Sequence, residues 1–98
     1  MTVLVDPARW PRHGRLWCHL VSDDSFGELH AFAAAAGLPA RGFHRDHYDV
    51  PAELRDDMMR AGAVAVSSRE LVRRLLDAGL RRRATRTSPP GPARDGAG

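Results

Sequence analysis

Five residues of this chain have the types and spacing for chemistry: Asp6, His19, Asp23, His47 and Asp49. Imidazole nitrogen combined with carboxylate oxygen suits a divalent cation such as Zn, Mn or Fe. A cation held this way can activate a water for phosphoester or amide hydrolysis. In that reading His19, His47 and Asp49 are the metal ligands, and Asp6 or Asp23 is a further ligand or the catalytic base. No His-Glu-x-x-His pair occurs, and the His44-x-x-His47 spacing is common in His-containing loops.

Each of these residues also has an ordinary use. Asp49 can cap a helix that starts near Pro51. Asp23 and Asp24 suit the positive end of a helix dipole. His19 and His30 can be hydrogen-bonded structural histidines, and Asp6 can end a strand by accepting from loop amides.

A second group is basic. Arg9, Arg12 and Arg15, with His13 and Gly14 between them, could grip phosphate in the bidentate manner of guanidinium. Tyr48 is a further contact candidate, or it covers the core. Trp10 and Trp17 have faces on which a base can stack. No Walker pattern and no G-x-G-x-x-G is present. A Cys18/His19 nucleophile is disfavoured, because neighbours on a strand point to opposite faces.

The elements that must position these residues follow from local pattern. Thr2–Asp6 reads as a buried strand and 7–15 as a loop with two prolines and Gly14. Leu16–Val21 reads as a second, central strand. Leu16, Cys18 and Leu20 line one of its faces, and Trp17, His19 and Val21 the other. Ser25 and Glu28 form a capping box for a helix along Phe26, Leu29, Phe32, Ala33 and Ala36, stopped by Gly37 and Pro39.

A brief strand is expected at 41–44, then a loop. A helix from Pro51 carries Leu54, Met58 and Ala61, and a buried strand spans 63–66. Ser67 and Glu70 open a third helix with Leu71, Val72, Leu75 and Leu76 on one side, closed by Gly79.

Alternating elements predict an α/β fold: a small two- or three-layer sheet of three to four mostly parallel strands with three helices. The 7–15 connection is short for a parallel crossover, so the first two strands can also be antiparallel. The helix after the second strand points to a parallel third strand. His19, Asp23, His47 and Asp49 then meet at the carboxyl ends of the strands, where open α/β sheets bind ligands.

A chain of 98 residues allows one domain, here 1–80, followed by a basic, Pro/Gly-rich tail at 81–98 that is expected to be disordered. The formal charge is +3, but the tail holds five arginines and one aspartate, so the body is at −1. That distribution speaks against a folded face built to grip a phosphate backbone. All the basic residues are Arg and none is Lys, as expected from a GC-rich bacterial genome.

No apolar run reaches the length of a membrane span, and no signal peptide is expected. Cys18 is the only cysteine, which excludes an internal disulfide and fits a reducing cytoplasm. Two functions suit this inventory. One is a binding module for a nucleotide, a nucleic acid or a protein, a second copy included, contacted by Arg9, Arg12, Arg15 and Tyr48. The alternative is a metal-dependent hydrolase acting on a phosphoester.

Val5-Asp6, Gly14, Cys18-His19-Leu20, Asp23, Glu28-Leu29-His30, His47-Tyr48-Asp49 and Ala61-Gly62-Ala63 occur in this order. The set resembles a small domain of unknown function in bacteria and tailed phages, the family numbered four thousand and thirty-one. The resemblance runs over residues 2–75. It implies a fold unit and a bacterial or phage setting, with no assigned activity. Its polar pattern coincides with Asp6, His19, Asp23, His47 and Asp49, and adds Glu28 and His30. Phage members carry a longer, more basic segment before His-Tyr-Asp; here it is short and contains His44. The tail lies outside the resemblance and is not expected to form the site.

Overall fold

The computed structural model describes residues 2–81. The elements are β1 (Val3–Val5), β2 (Trp10–Arg12), β3 (Arg15–Ser22), α1 (Phe26–Ala35), β4 (Phe43–His44), β5 (His47–Pro51), α2 (Arg55–Arg60), β6 (Val64–Ala65) and α3 (Ser68–Asp77). The fold is mixed α/β with three helices, as the alternation predicts. The expected disorder of the tail falls on residues that lie, Arg81 excepted, outside the described residues.

The sheet corrects the mostly parallel expectation. Its order is β4-β5-β3-β1-β6, with β2 also on β3. Only the β1–β6 pair is parallel; β1–β3, β2–β3, β3–β5 and β4–β5 are antiparallel. The six strands also exceed the three or four expected. Three local causes explain the difference.

First, the chain between β1 and β3 is too short for a crossover and folds back instead. Second, that connection is not a plain loop. Trp10–Arg12 pairs with Arg15–Trp17 around His13-Gly14, both at positive φ (53° and 75°). Two left-handed residues make the tight hairpin turn whose twist matches the strands. Third, α1 does return a strand running in the direction of β3, namely β4. The chain then turns at Arg45 (φ 63°) and inserts β5 between them. Asp49 therefore sits inside a strand and does not cap a helix. A 3-10 turn at Ala52–Leu54 precedes α2.

The helix starts follow the caps in the sequence. Ser25 Oγ accepts from Glu28 N, and Ser67 Oγ accepts from Glu70 N, each at 3.0 Å. The Glu28 carboxylate does not close the box on Ser25. It takes the Ser22 hydroxyl at 2.5 Å instead. Gly37 (φ 83°) ends α1 in the left-handed conformation that glycine adopts without a Cβ penalty.

Three layers result. Cys18, Leu20, Tyr48 and Val50, with Val3 and Val5, form one sheet face, covered by Leu29 and Ala33 of α1 and Met58 of α2. Leu4 and Val21 form part of the other face, covered by Leu71 and Leu75 of α3. The alternation read along β3 holds for Cys18, Leu20 and Val21, which are buried. Leu16 is exposed because the helices do not extend over that end of the strand.

Candidate functional site

The polar residues occupy the part of the second face that α3 leaves open. On β3 the side chains of Trp17 and His19 share this face by the two-residue period. On β5, His47 and Asp49 do the same. The antiparallel register sets His19 directly opposite Asp49. One ligand atom from each of His19, His47 and Asp49 lies within 4.8 Å of the other two. Their side chains are 26%, 13% and 15% exposed, so the cluster is recessed but reachable.

Each histidine is held from behind by a buried carboxylate. His19 Nδ1 lies 3.0 Å from Asp6 Oδ2, and His19 N donates to Asp6 Oδ1 at 2.7 Å. Ser68 Oγ (2.8 Å) and Trp10 Nε1 (3.3 Å) also donate to Asp6 Oδ2. Burial alone would raise the Asp6 pKa, but the His19 side chain and backbone and Ser68 outweigh it and hold it below the usual value. An ionised carboxylate only accepts. His19 Nδ1 therefore faces an acceptor in Asp6, and its Nε2 lies on the far side of the ring from that contact.

His47 repeats the arrangement. Its Nδ1 lies 2.8 Å from Asp46 Oδ1. Arg81 donates to both oxygens of Asp46, at 2.8 and 3.0 Å. Burial pushes the Asp46 pKa up, but Arg81 and His47 bring it net below the usual range. His47 Nε2 faces Asp49 Oδ1 at 3.2 Å, and Arg12 Nη2 donates to Asp49 Oδ2 at 2.7 Å. A His47 ring between two carboxylates satisfies both only with a proton on each nitrogen, or with a cation in place of the Nε2 proton.

The other sequence-predicted residues go elsewhere. Asp23 lies past the end of β3. Its carboxylate accepts from Thr2 N at 2.8 Å and from Arg74 Nη1 at 2.7 Å, which keeps it out of the cluster. Burial raises its pKa, but the Thr2 amide and Arg74 bring it net below the usual value. Tyr48 is buried on the opposite sheet face, away from the cluster, and bonds His30 Nδ1 at 2.8 Å. Glu28 is occupied by Ser22 on the same side.

Among the basic residues, Arg9 is exposed, while Arg12 and Arg15 lie over the Trp17 ring, 5.4 and 5.7 Å from its centroid. His44 is exposed and touches the cluster only through the His47 ring, with centroids 5.7 Å apart. Cys18 is fully buried, its thiol pushed up to about 11 first by burial and then by Asp6.

The family described as "Protein of unknown function (DUF4031)" matches residues 3–78. The chain belongs to this family. No curated protein and no solved structure gives a match. The matched DUF4031 region contains Asp6, His19, Asp46, His47, Asp49 and Ser68, and Arg81 lies just past its end. No helix among the described residues is long and apolar enough to cross a membrane.

Sequence reasoning missed three parts of this site. Asp46, Ser68 and Arg81 act through other residues, and they come from a turn, a helix start and the first residue of the expected tail. Their only signal was Asp46 standing directly before His47.

Proposed function

We propose that His19, His47 and Asp49 bind one divalent transition-metal ion, Zn, Mn or Fe, and that the centre hydrolyses a phosphoester. The observation that carries this reading is the pairing of both imidazoles with buried carboxylates. Metal-binding histidines characteristically give their second N–H to a carboxylate, which fixes the tautomer and raises ligand basicity. Here Asp6 does this for His19 and Asp46 for His47, and His47 Nε2 faces Asp49.

Three protein ligands leave open positions for a water and a substrate oxygen. A cation held by His19, His47 and Asp49 would lower the pKa of a water and polarise the phosphoryl oxygen, so that the water oxygen would bond to phosphorus as the ester P–O bond broke and its proton would pass to the leaving oxygen.

Neither carboxylate first considered as a catalytic base serves as one in this scheme. Asp6 already accepts from His19, Trp10 and Ser68, which makes it a positioning residue. Asp23 is engaged by Thr2 and Arg74. Arg12, which pairs with Asp49 at 2.7 Å, would neutralise phosphoryl charge beside the centre.

One observation favours the rival reading of a binding module without turnover. Arg12 and His47 together occupy both oxygens of Asp49, which closes the ion-pair chain on itself. The two readings separate on metal content. Untagged protein is incubated with Zn, Mn or Fe, passed through gel filtration and analysed by elemental mass spectrometry. About one ion per chain is expected, lost in His19→Ala and His47→Ala. Hydrolysis of bis(p-nitrophenyl) phosphate should fall with it. Wild-type protein that emerges without metal in all three cases removes the hydrolase and leaves the module.

A further inference from the structure

Beside the cluster runs a groove of about 530 Å³. Asp49 is one of its lining residues, so the groove and the proposed metal centre share a wall. Its charged lining is Arg12, Arg15 and Arg41 against Asp49 alone. Arg12 and Arg15 come from either side of the His13-Gly14 turn, and Arg41 from the 3-10 turn at Ala40–Gly42.

The commitments of these arginines differ. Arg15 has an exposed partner, Glu53, at 3.4 Å, the kind of pair that contributes little. Arg41 is exposed and makes no hydrogen bond or ion pair with the described residues. The guanidinium groups of Arg12 and Arg15 are laid on Trp17, which limits their freedom; Arg12 gives Nη2 to Asp49 at 2.7 Å and keeps its other N–H groups for an anion. Apart from His13 and His44, the rest of the lining is mainly apolar and partly aromatic, with Trp17, Leu38, Phe43 and Leu54.

From this juxtaposition we infer that the groove binds one nucleotide unit. The phosphate sits among Arg12, Arg15 and Arg41 beside Asp49, and the base lies against the apolar lining. Excess cation calls for an anion, and paired guanidinium groups match phosphate oxygens bidentately. The apolar and aromatic lining calls for a flat ring system, which a bare phosphate or a sugar phosphate lacks. The volume fits a single small ligand and not a run of nucleotides. The inference names the substrate of the proposed phosphoester chemistry and in that respect rests on it, but groove binding is measurable without metal.

The test is isothermal titration of the full chain, once in chelator and once loaded with zinc. The probes are adenosine 5′-monophosphate, adenosine, ribose 5-phosphate and a 5′-phosphorylated dinucleotide. The monophosphate should bind at least about tenfold tighter than adenosine or ribose 5-phosphate. Arg41→Ala should weaken it about tenfold while leaving adenosine affinity and metal content unchanged. Arg15→Ala should act in the same direction.

Equal affinity for adenosine and its monophosphate, or no effect of Arg41→Ala, overturns the inference. A dinucleotide that matches the monophosphate assigns a strand end, and one that binds poorly assigns a free nucleotide; both support a nucleotide unit. Protein that binds the monophosphate but no metal keeps this inference and loses the hydrolase. Protein that binds metal and ignores the monophosphate does the reverse.

Discussion

The two faces of the β3–β5 pair differ although the same two strands build both. On one face Cys18, Leu20, Tyr48 and Val50 are sealed under α1 and α2. On the other, Trp17, His19, His47 and Asp49 are only part-buried, because α3 reaches Leu4 and Val21 and stops. Strand geometry alternates side chains without preference for either face. The difference lies in how far a helix extends over each face. A covered face accepts only residues that pack. An uncovered one can hold ionisable groups, provided carboxylates and arginines balance them.

The largest effect that tests this contrast is expected on the sealed face. Leu20→Ala should cost about 2–5 kcal/mol of unfolding free energy by denaturant titration, the usual range for emptying a core leucine site. A loss below about 1 kcal/mol would show that the face is not tightly packed. Next, Cys18 in the native protein should react with a thiol reagent at least about a hundredfold more slowly than in denaturant, since burial both hides the thiol and disfavours the thiolate. Labelling at comparable rates would place Cys18 in an open environment.

On the uncovered face, Asp46→Asn should weaken zinc binding by about 10–100-fold in a chelator competition, with unchanged circular dichroism. Affinity within twofold of wild type would mean that Asp46 does not tune His47 as a ligand.

The smallest effect lies outside both faces. The Asp23 pKa is below its usual value in the folded chain, so its contribution is complete above the unfolded pKa of about 4 and is lost as pH falls through the folded value. Wild type should exceed Asp23→Asn by at most about 1 kcal/mol at pH 6. The two should converge near pH 2. A gap that does not shrink with acid would remove the charge from the explanation.

Much of this was legible in the sequence, but not evenly. The caps at Ser25 and Ser67, the glycine stop at Gly37 and the alternation of Cys18, Leu20 and Val21 are local signals, and the structure follows them. β2 and β5 were read as loops because Trp10-Pro11-Arg12 and His47-Tyr48-Asp49-Val50-Pro51 carry proline and charge. Such residues are rare in strands because most strand positions must pack against something. In β5 the polar positions alternate with buried Tyr48 and Val50, so the period of two was present, masked by the residues that face the open side.

His19, His47 and Asp49 were grouped in the sequence on the premise of parallel strand ends. The structure brings them together by antiparallel register. That register depends on β5 inserting beside β3, and no short-range pattern encodes such a placement.

The seam between β3 and β5 has a consequence for how the chain assembles. β2–β3 and β4–β5 are hairpins whose partners are near in sequence, and such units form within about 1–10 μs. Joining them closes a loop that contains all of α1, and this costs additional chain entropy. His19 lies on one side of the join, and His47 and Asp49 lie on the other. The three therefore converge only once both halves have docked, and no fragment holding a single hairpin contains the cluster. A cation bound across the join would act as a staple between the halves. It would raise the free energy of unfolding by RT ln(1 + [M]/Kd), with [M] the free ion concentration.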